Sequence, residues 1–190
     1  MIRLFTAIAV PEDAAEALAP LAQGVPGARW SPPENLHITL RFVGDVAENT
    51  AEDLDAALGS AVMPPCEVSL AGVGSFGDEG GGNAIWAGVE TGEPLGRLRR
   101  RCETAARRAG LKADTRVWKP HVTLAYLRGA EVARVAAWTQ SHNLLRVAPF
   151  EVTRFGLYSS WRTHGGSAYR LERSYPLRPW PRDLSAPPGG

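Results

Sequence analysis

The sequence predicts an α+β fold with two lobes, a pseudo-twofold duplicated unit whose mostly antiparallel sheets line a central cleft with helices outside. One observation behind this prediction is a short pattern that occurs twice, as His37-Ile38-Thr39-Leu40 and His121-Val122-Thr123-Leu124, 84 residues apart. The other is that strand-like segments follow one another between helical segments, which is typical of antiparallel hairpins. Two units related in this way would bring both copies of the pattern to one cleft.

The offset of 84 residues recurs outside the two patterns, which indicates an internal duplication. The ungapped matches are Glu67-Val68-Ser69 with Glu151-Val152-Thr153, Gly72 with Gly156, and Asn83-Ala84-Ile85 with Ser167-Ala168-Tyr169. Two units do not make a solenoid, so we expect one bilobal domain over residues 1–178. Residues 179–190 are rich in proline and glycine and are expected to form a disordered tail. The alternative is that the two tetrapeptides arose by chance and form ordinary strands.

In the first half, a strand is predicted from Arg3 to Val10, and Pro11 then opens a helix that ends before Gly24. An extended segment at 30–33 leads into the first motif strand. A second helix carries its apolar face from Leu54 to Ala61. Strands are predicted at 67–73 and 84–89, on either side of a glycine-rich loop at 77–82.

The second half is predicted to repeat this order. Leu95, Leu98, Cys102 and Ala105 mark a helix before the second motif strand, and residues 132–138 mark another helix after it. Strands follow at 150–158 and 167–174. His142 and His164 have no partner pattern, so we expect them in surface loops.

The composition limits the classes of protein to which the chain can belong. Of its 190 residues, 44% are hydrophobic and 22% are charged, and no apolar run reaches the roughly 20 residues that a membrane span needs. The net charge of +1 argues against a broad electrostatic grip on duplex DNA or RNA. Cys66 and Cys102 lack the spacing of metal ligands, and we expect both to be buried thiols of a cytoplasmic protein.

The two patterns carry the residues expected to do chemistry. Side chains alternate along a strand, so His37 and Thr39 share one face, as do His121 and Thr123. An imidazole titrates near pH 6.5, which allows one histidine to give a proton while the other takes one. The threonine hydroxyls are suited to hydrogen-bond a phosphoryl oxygen. Metal binding is the alternative use of two histidines, but no carboxylate is placed to complete a coordination shell, so no metal and no cofactor are expected.

These motifs and their flanks resemble the 2H phosphoesterase superfamily and, within it, the RNA 2′,3′-cyclic phosphodiesterase (2′-5′ RNA ligase) family. The matching segments are Arg3-Leu4-Phe5-Thr6-Ala7-Ile8, residues 33–44, Lys119-Pro120-His121-Val122-Thr123-Leu124, and a closing segment of Leu157-Tyr158-Ser159-Ser160 with Tyr169 and Pro176-Leu177. The resemblance implies two lobes around a cleft, His37 as the proton donor and His121 as the proton acceptor. It also implies that Thr39 and Thr123 bind the phosphate.

Two arginines are weaker candidates for phosphate binding. Arg41 shares the face of His37 and Thr39 by strand alternation, with a solvated surface arginine as the alternative. The family often carries arginine where this chain has Tyr126, and Arg128 is a candidate to take over that role because it has the same strand parity.

Four aromatic residues are candidates for stacking on a nucleobase. Phe42 and Tyr126 have the opposite parity from the histidines, which favours positions in the core over stacking. Tyr158 and Trp161 lie near a strand end, where stacking and packing are both open.

The expected function is metal-independent hydrolysis of 2′,3′-cyclic phosphate ends of RNA or nucleotides, and the family resemblance implies that the products are 2′-phosphates. Reversible 2′-5′ RNA ligation in the same site is the alternative within this fold. A non-catalytic protein that binds RNA ends is the alternative from another class, although binding alone does not need two matched titratable groups. We expect the protein to be a monomer that binds its RNA or nucleotide substrate and does not associate with membranes.

Overall fold

A computed structural model of the chain describes residues 1–61, 63–77, 84–90, 92–163 and 166–179. Within these residues, nine strands form one sheet, and every strand pair in it is antiparallel. Four α-helices contribute to the same hydrophobic core as the sheet. The predicted α+β class with antiparallel strands is confirmed.

The secondary structure follows the predicted order with added short elements. The strands are β1 (Ile2–Ala9), β2 (Ala28–Trp30), β3 (His37–Val46), β4 (Cys66–Phe76), β5 (Ala84–Glu90), β6 (His121–Leu127), β7 (Arg146–Val152), β8 (Arg154–Thr163) and β9 (Gly166–Pro176). The helices are α1 (Glu12–Leu18), α2 (Glu48–Gly59), α3 (Glu93–Arg108) and α4 (Val132–His142), with 3₁₀ turns at Ala19–Leu21 and Pro33–Asn35.

The order of strands in the sheet is symmetric about its centre. It runs β7-β4-β5-β6-β3-β1-β8-β9, and β2 pairs with β6 beside this path. The two motif strands β3 and β6 are the central pair, flanked by β1 and β5, then by β8 and β4. The strand order therefore has pseudo-twofold symmetry about the pair of β3 and β6, as the fold prediction states.

Only part of the 84-residue offset corresponds to equivalent places in this order. Gly72 in β4 and Gly156 in β8 lie on equivalent strands. The segments at 67–69 and 151–153 do not, because Glu67 and Glu151 are opposite each other in the pairing of β4 with β7. The described parts of the third match lie on β5 and β9, which are an inner and an edge strand. The extent of the duplication over residues 1–178 stays a prediction.

Several element predictions need correction. The strand predicted at 150–158 is two strands, because Thr153 lies between β7 and β8 and its carbonyl accepts a hydrogen bond from the amide of Leu177. The strand β2 was not predicted. His142 ends α4 instead of lying in a loop, and its Nδ1–H donates to the carbonyl of Trp138 at 2.8 Å. Of the other predicted loops, residues 78–82, His164 and the tail from 180 onward lie outside the described residues.

One hydrophobic core holds the helices against the back of the sheet. Ile38 and Leu40 of β3 and Val122 and Leu124 of β6 are all buried in it. The helices contribute Leu18, Leu54, Leu58, Leu95, Leu98, Val135 and Trp138. Burying one such side chain stabilises the fold by about 1.5–3 kcal/mol, which fixes the apolar face of each motif strand toward the core. The opposite face is left for the histidines and threonines.

Two further sequence predictions can be compared with the structure. Cys66 and Cys102 are both free and buried, as expected. None of the helices in the described ranges is long and apolar enough to cross a membrane.

Candidate active site

The two motifs meet at the centre of the sheet, where Ile38 of β3 lies opposite Val122 of β6. Because this pair is antiparallel, the residue before one member lies beside the residue after the other, so the histidine of each motif is next to the threonine of the other. Ile38 and Val122 point into the core, and alternation then places all four polar side chains on the opposite face. The structure therefore brings the predicted pairs, His37 with Thr39 and His121 with Thr123, together on one surface.

The two imidazoles make the same contact with the backbone. Nδ1 of His37 lies 2.7 Å from the carbonyl oxygen of Asn35, and Nδ1 of His121 lies 2.6 Å from that of Lys119. A carbonyl oxygen only accepts hydrogen bonds, so Nδ1 carries the hydrogen in both rings. Nε2 of each ring is therefore the atom left for proton transfer.

Aromatic rings surround His37 and change its acidity. The ring centroids of Phe5 and Tyr169 each lie 5.1 Å from that of the imidazole. Burial lowers the pKa of His37 below 6.5, because it disfavours the charged form. The hydrogen bond to Asn35 acts in the opposite direction, and the charge of His121 lowers the pKa further.

His121 has a matching aromatic environment from the other half of the sheet. Phe76 lies edge-on at 4.8 Å between ring centroids, and Trp86 lies at 6.3 Å. Trp86 is on β5 and Phe5 is on β1, which hold equivalent places in the strand order. Both imidazoles are therefore supported by a ring from the strand next to their own.

Each motif strand contains a β-bulge directly after its threonine. Along β3, pairing with β1 passes from Thr39 to Arg41, and along β6, pairing with β5 passes from Thr123 to Ala125. The motif leucine is the extra residue in each strand. An inserted residue reverses which face the following side chains occupy, so simple alternation from the histidine fails beyond this point.

The prediction that Arg41 faces the cleft is wrong for this reason. The side chain is buried, with the residue only 7% exposed. Its Nε–H donates to the carboxylate of Glu103 on α3 at 2.6 Å, and Nη2 donates to the carbonyl of Lys112 at 2.7 Å. Nη1 donates to the carbonyl of Phe42 and lies 3.8 Å from Asp114. Arg41 joins β3 to α3 and the segment after it, and it is not available to a phosphate.

The same bulges bring Phe42 and Tyr126 to the polar face, where strand alternation favoured core positions. The guanidinium of Arg3 lies 5.2 Å from the ring centroid of Phe42, and that of Arg29 lies 5.5 Å from the ring centroid of Tyr126. On this face, each half of the sheet thus carries an arginine over an aromatic ring.

These side chains border a groove of about 620 Å³ that contains His37 and Thr39, with His121 on the adjoining strand. The lining includes Arg3, Arg29, Arg128 and Arg162, and within the described parts of the chain it includes no aspartate or glutamate. A concave surface with one sign of charge attracts ligands of the opposite sign. The groove is therefore suited to an anionic ligand.

Of the remaining aromatic candidates, Trp161 lines the groove and Tyr158 does not. The ring of Tyr158 stacks on Phe5 with centroids 5.4 Å apart and borders a separate cavity of about 280 Å³. Tyr158 therefore supports a groove residue from outside, while Trp161, about half exposed, remains a stacking candidate.

Arg128 lines the groove but lies away from the two motif histidines. It follows Thr123, the neighbour of His37 across the strands, by five residues. At a rise of about 3.3 Å per residue this separates their Cα atoms by roughly 16 Å. Arg128 is consequently poorly placed to contact a ligand between the two histidines, and its predicted role in place of an arginine at position 126 stays a prediction.

Five charged or aromatic residues of the groove were not predicted as site residues: Arg3, Phe5, Arg29, Arg162 and Tyr169. Arg3 and Phe5 share parity in β1, which was the one usable signal. The others reach the groove through the long-range pairing of β2 with β6 and of β8 with β1, which the local sequence does not encode. In the described ranges, no group of three or more histidine, cysteine, aspartate or glutamate side chains is placed to hold a metal ion.

Comparison with known proteins identifies the family. A model of the 2′-5′ RNA ligase superfamily matches residues 9–163, which include both motifs. The chain belongs to this superfamily. An RNA 2′,3′-cyclic phosphodiesterase of Archaeoglobus fulgidus is 30% identical over 174 residues, covering 89% of this chain and 97% of that protein. The resemblance inferred from the motifs is confirmed.

Solved structures of similar proteins share the superfamily fold. Escherichia coli LigT complexed with 3′-AMP has a TM-score of 0.75 at 26% identity, covering 93% of this chain and 98% of that one. TT0787 of Thermus thermophilus has a TM-score of 0.76 at 26% identity, covering 94% of this chain and 99% of that one. The superfamily match spans the strands β3 and β6 that carry the two histidines.

Proposed function

We propose that the chain is a metal-independent RNA 2′,3′-cyclic phosphodiesterase that opens cyclic phosphate ends of RNA or nucleotides to 2′-phosphates. The observation that carries this proposal is the pair of imidazoles with Nε2 free, each beside a threonine, next to a groove lined by arginines. The Archaeoglobus fulgidus relative carries the name of this activity, and LigT binds 3′-AMP, which is a nucleotide with a phosphate on its ribose.

The reaction requires one proton to be taken and one to be given. Nε2 of His121 removes a proton from water, whose oxygen attacks phosphorus. The bond from phosphorus to the 3′-oxygen breaks, and Nε2–H of His37 supplies the proton that makes the 3′-hydroxyl. The product keeps its phosphate on the 2′-oxygen. The choice of His37 as the acid follows the family resemblance, since the symmetry of the site does not distinguish the two histidines.

Thr39 and Thr123 hold the phosphate during this exchange. Their hydroxyls lie on the face of the histidines and donate hydrogen bonds to the non-bridging oxygens. Donors fixed in place before the reaction stabilise charge that develops on those oxygens. The threonines therefore act on the phosphorus centre, and the histidines act on the oxygens that enter and leave.

The lowered pKa of His37 in the free protein opposes its role as an acid. A bound phosphodiester changes this, because a negative charge within about 4–6 Å favours the protonated imidazole. Substrate binding thus raises the pKa of His37 toward the range in which it is protonated. The donor role depends on the substrate being present.

Ligation to a 2′-5′ bond is the second candidate, favoured by the superfamily to which the chain belongs. It needs the same acid and base, with a 5′-hydroxyl in place of water. Both reactions are accommodated by one site, and the supply of 5′-hydroxyl ends decides between them.

Phosphorus NMR of adenosine 2′,3′-cyclic phosphate incubated with the purified protein tests the proposal. We expect adenosine 2′-phosphate as the product, and a loss of at least about 100-fold in turnover for His37→Ala and for His121→Ala. His142→Ala, a histidine at the end of α4, is the matched control and should keep full activity. A 3′-phosphate product would refute the assigned polarity. Binding of the nucleotide without turnover would support the non-catalytic alternative.

A further inference from the structure

We propose that Arg29 and Arg162 form a second anion site that takes the 5′-phosphate of the nucleotide whose cyclic phosphate reacts. This inference rests on the proposed function, and it adds which RNA ends the protein prefers. A nucleoside 2′,3′-cyclic phosphate has no 5′-phosphate to occupy this site. The 3′-terminal nucleotide of an RNA chain always has a phosphate on its 5′-oxygen.

Arg162 reaches the groove from the hairpin of β8 and β9. Tyr169 of β9 contacts His37 and is paired with Ser160 of β8. Arg162 follows Ser160 by two residues and lies on the same face, about 7 Å further along the strand. Arg162 thus lies further along the groove than the histidines, on the side where Tyr169 packs against the imidazole of His37.

Arg29 reaches the same end of the groove from the other half of the molecule. It is opposite Tyr126 in the pairing of β2 with β6, and its guanidinium lies over that ring. It also lies against Gly166, where an added Cβ would be 2.3 Å from Nη1 of Arg29. The next residue, Ser167, is the cross-strand partner of Arg162. Both arginines therefore line the groove near the turn between β8 and β9.

The protein balances only part of the positive charge at this end of the groove. Arg162 is exposed and forms no ion pair with any carboxylate in the described parts of the chain. Arg3, which the antiparallel pairing of β1 with β8 places beside Ser160, differs because Asp45 lies 3.8 Å from it. A second negative charge is therefore attracted to the end of the groove with Arg29 and Arg162.

The chemistry of the substrate identifies that second charge. With the cyclic phosphate between the histidines, the nearest other phosphate of an RNA end is the one on its 5′-carbon. Arginine binds phosphate through two parallel N–H groups and is suited to this contact. Ser160 and Ser167 supply hydroxyls along the same part of the groove.

Isothermal titration calorimetry with product-like nucleotides tests the site without relying on turnover. Adenosine 2′-phosphate is compared with adenosine 2′,5′-bisphosphate, and the corresponding 3′ and 3′,5′ nucleotides are measured so that the polarity of the reaction does not decide the result. In the unaltered protein we expect the 5′-phosphate to lower Kd by about tenfold or more, as for hydrogen bonds to charged groups. In Arg162→Met and Arg29→Met, the ratio of the Kd of the monophosphate to the Kd of the bisphosphate should fall toward one. In Arg162→Lys, part of the difference between the two Kd values should remain.

Arg146→Met is the matched control, because Arg146 is an exposed arginine on the edge strand β7, away from the groove. It should keep the full ratio. Equal Kd values for the mono- and bisphosphates in the unaltered protein would overturn the inference. A ratio kept in both groove variants, or lost equally in Arg146→Met, would also overturn it. Failure of the proposed function has a different signature, which is the absence of turnover on adenosine 2′,3′-cyclic phosphate.

Discussion

Replacing Arg41 distinguishes a role in stability from the role in phosphate binding that strand alternation predicts. The Arg41 side chain is 8% exposed and that of its partner Glu103 is 17% exposed. Removing one member of such a pair leaves the other charge buried without compensation, which costs about 3–5 kcal/mol. Arg41→Met also leaves the carbonyls of Phe42 and Lys112 without the donors described above.

The expected loss is large enough to measure directly. At about 2–4 °C per kcal/mol for a chain of this size, Arg41→Met should lower Tm by about 6–20 °C. Thermal unfolding followed by circular dichroism gives Tm, and KM for adenosine 2′,3′-cyclic phosphate is measured below the transition. We expect KM to stay near that of the unaltered protein. Arg128→Met, which removes an exposed arginine, should leave Tm unchanged.

A double variant separates the ion pair from other effects of the substitution. When Glu103→Met is combined with Arg41→Met, no buried charge of this pair remains. The double variant should therefore be more stable than the sum of the two single losses implies. The reasoning is refuted if Arg41→Met keeps its Tm and raises KM, since that result would place the guanidinium on the substrate.

Three further predictions concern the site and its surroundings. In NMR titrations, the pKa of the His37 imidazole should lie below 6.5 in the free protein and should rise when adenosine 2′-phosphate binds. A pKa that does not change on binding would refute the proposal that the substrate makes His37 an acid. EDTA should leave turnover unchanged, and activity lost to EDTA and restored by one divalent ion would contradict the two-histidine mechanism. The hydrogen bond from Arg116 lowers the pKa of Asp114 from 3.8 to about 2. This stabilisation is present above pH 3.8 and is lost as the pH falls toward 2, so the stability difference from Asp114→Asn should narrow over that range; a constant difference in urea denaturation would contradict it.

The meeting of the two histidines and two threonines could be predicted from the sequence because the motif that carries them is local. In His-x-Thr, alternation fixes which face the side chains share, and the apolar residues between them fix which face is buried. The repetition of the motif then predicts that the two copies meet. Neither step requires knowledge of which strands pair.

The rest of the groove could not be predicted because it depends on register. One extra residue after Thr39 moves Arg41 to the core side and Phe42 to the groove, and a bulge has no clear signature in a single sequence. Arg29 is a groove residue only because β2 pairs with β6. A bulge also follows Thr123 in the second copy of the motif. When a motif is duplicated, the residues that follow the two copies can therefore be compared, because a bulge shared by both copies changes the face of the equivalent residues in each.

The central pair of strands has a consequence for how this sheet avoids unwanted partners. Among the residues that the structure describes, β3 and β6 pair only at Ile38 and Val122, and no other strand pairs with that edge of β3 beyond this point. Such an edge is a template on which another chain can add a strand. Here the indole N–H of Trp118 donates to the carbonyl of Thr39 at 3.0 Å, and Arg41 donates to that of Phe42. Two side chains thus occupy acceptors that a foreign strand would need, which opposes β-strand addition at this edge without covering the groove.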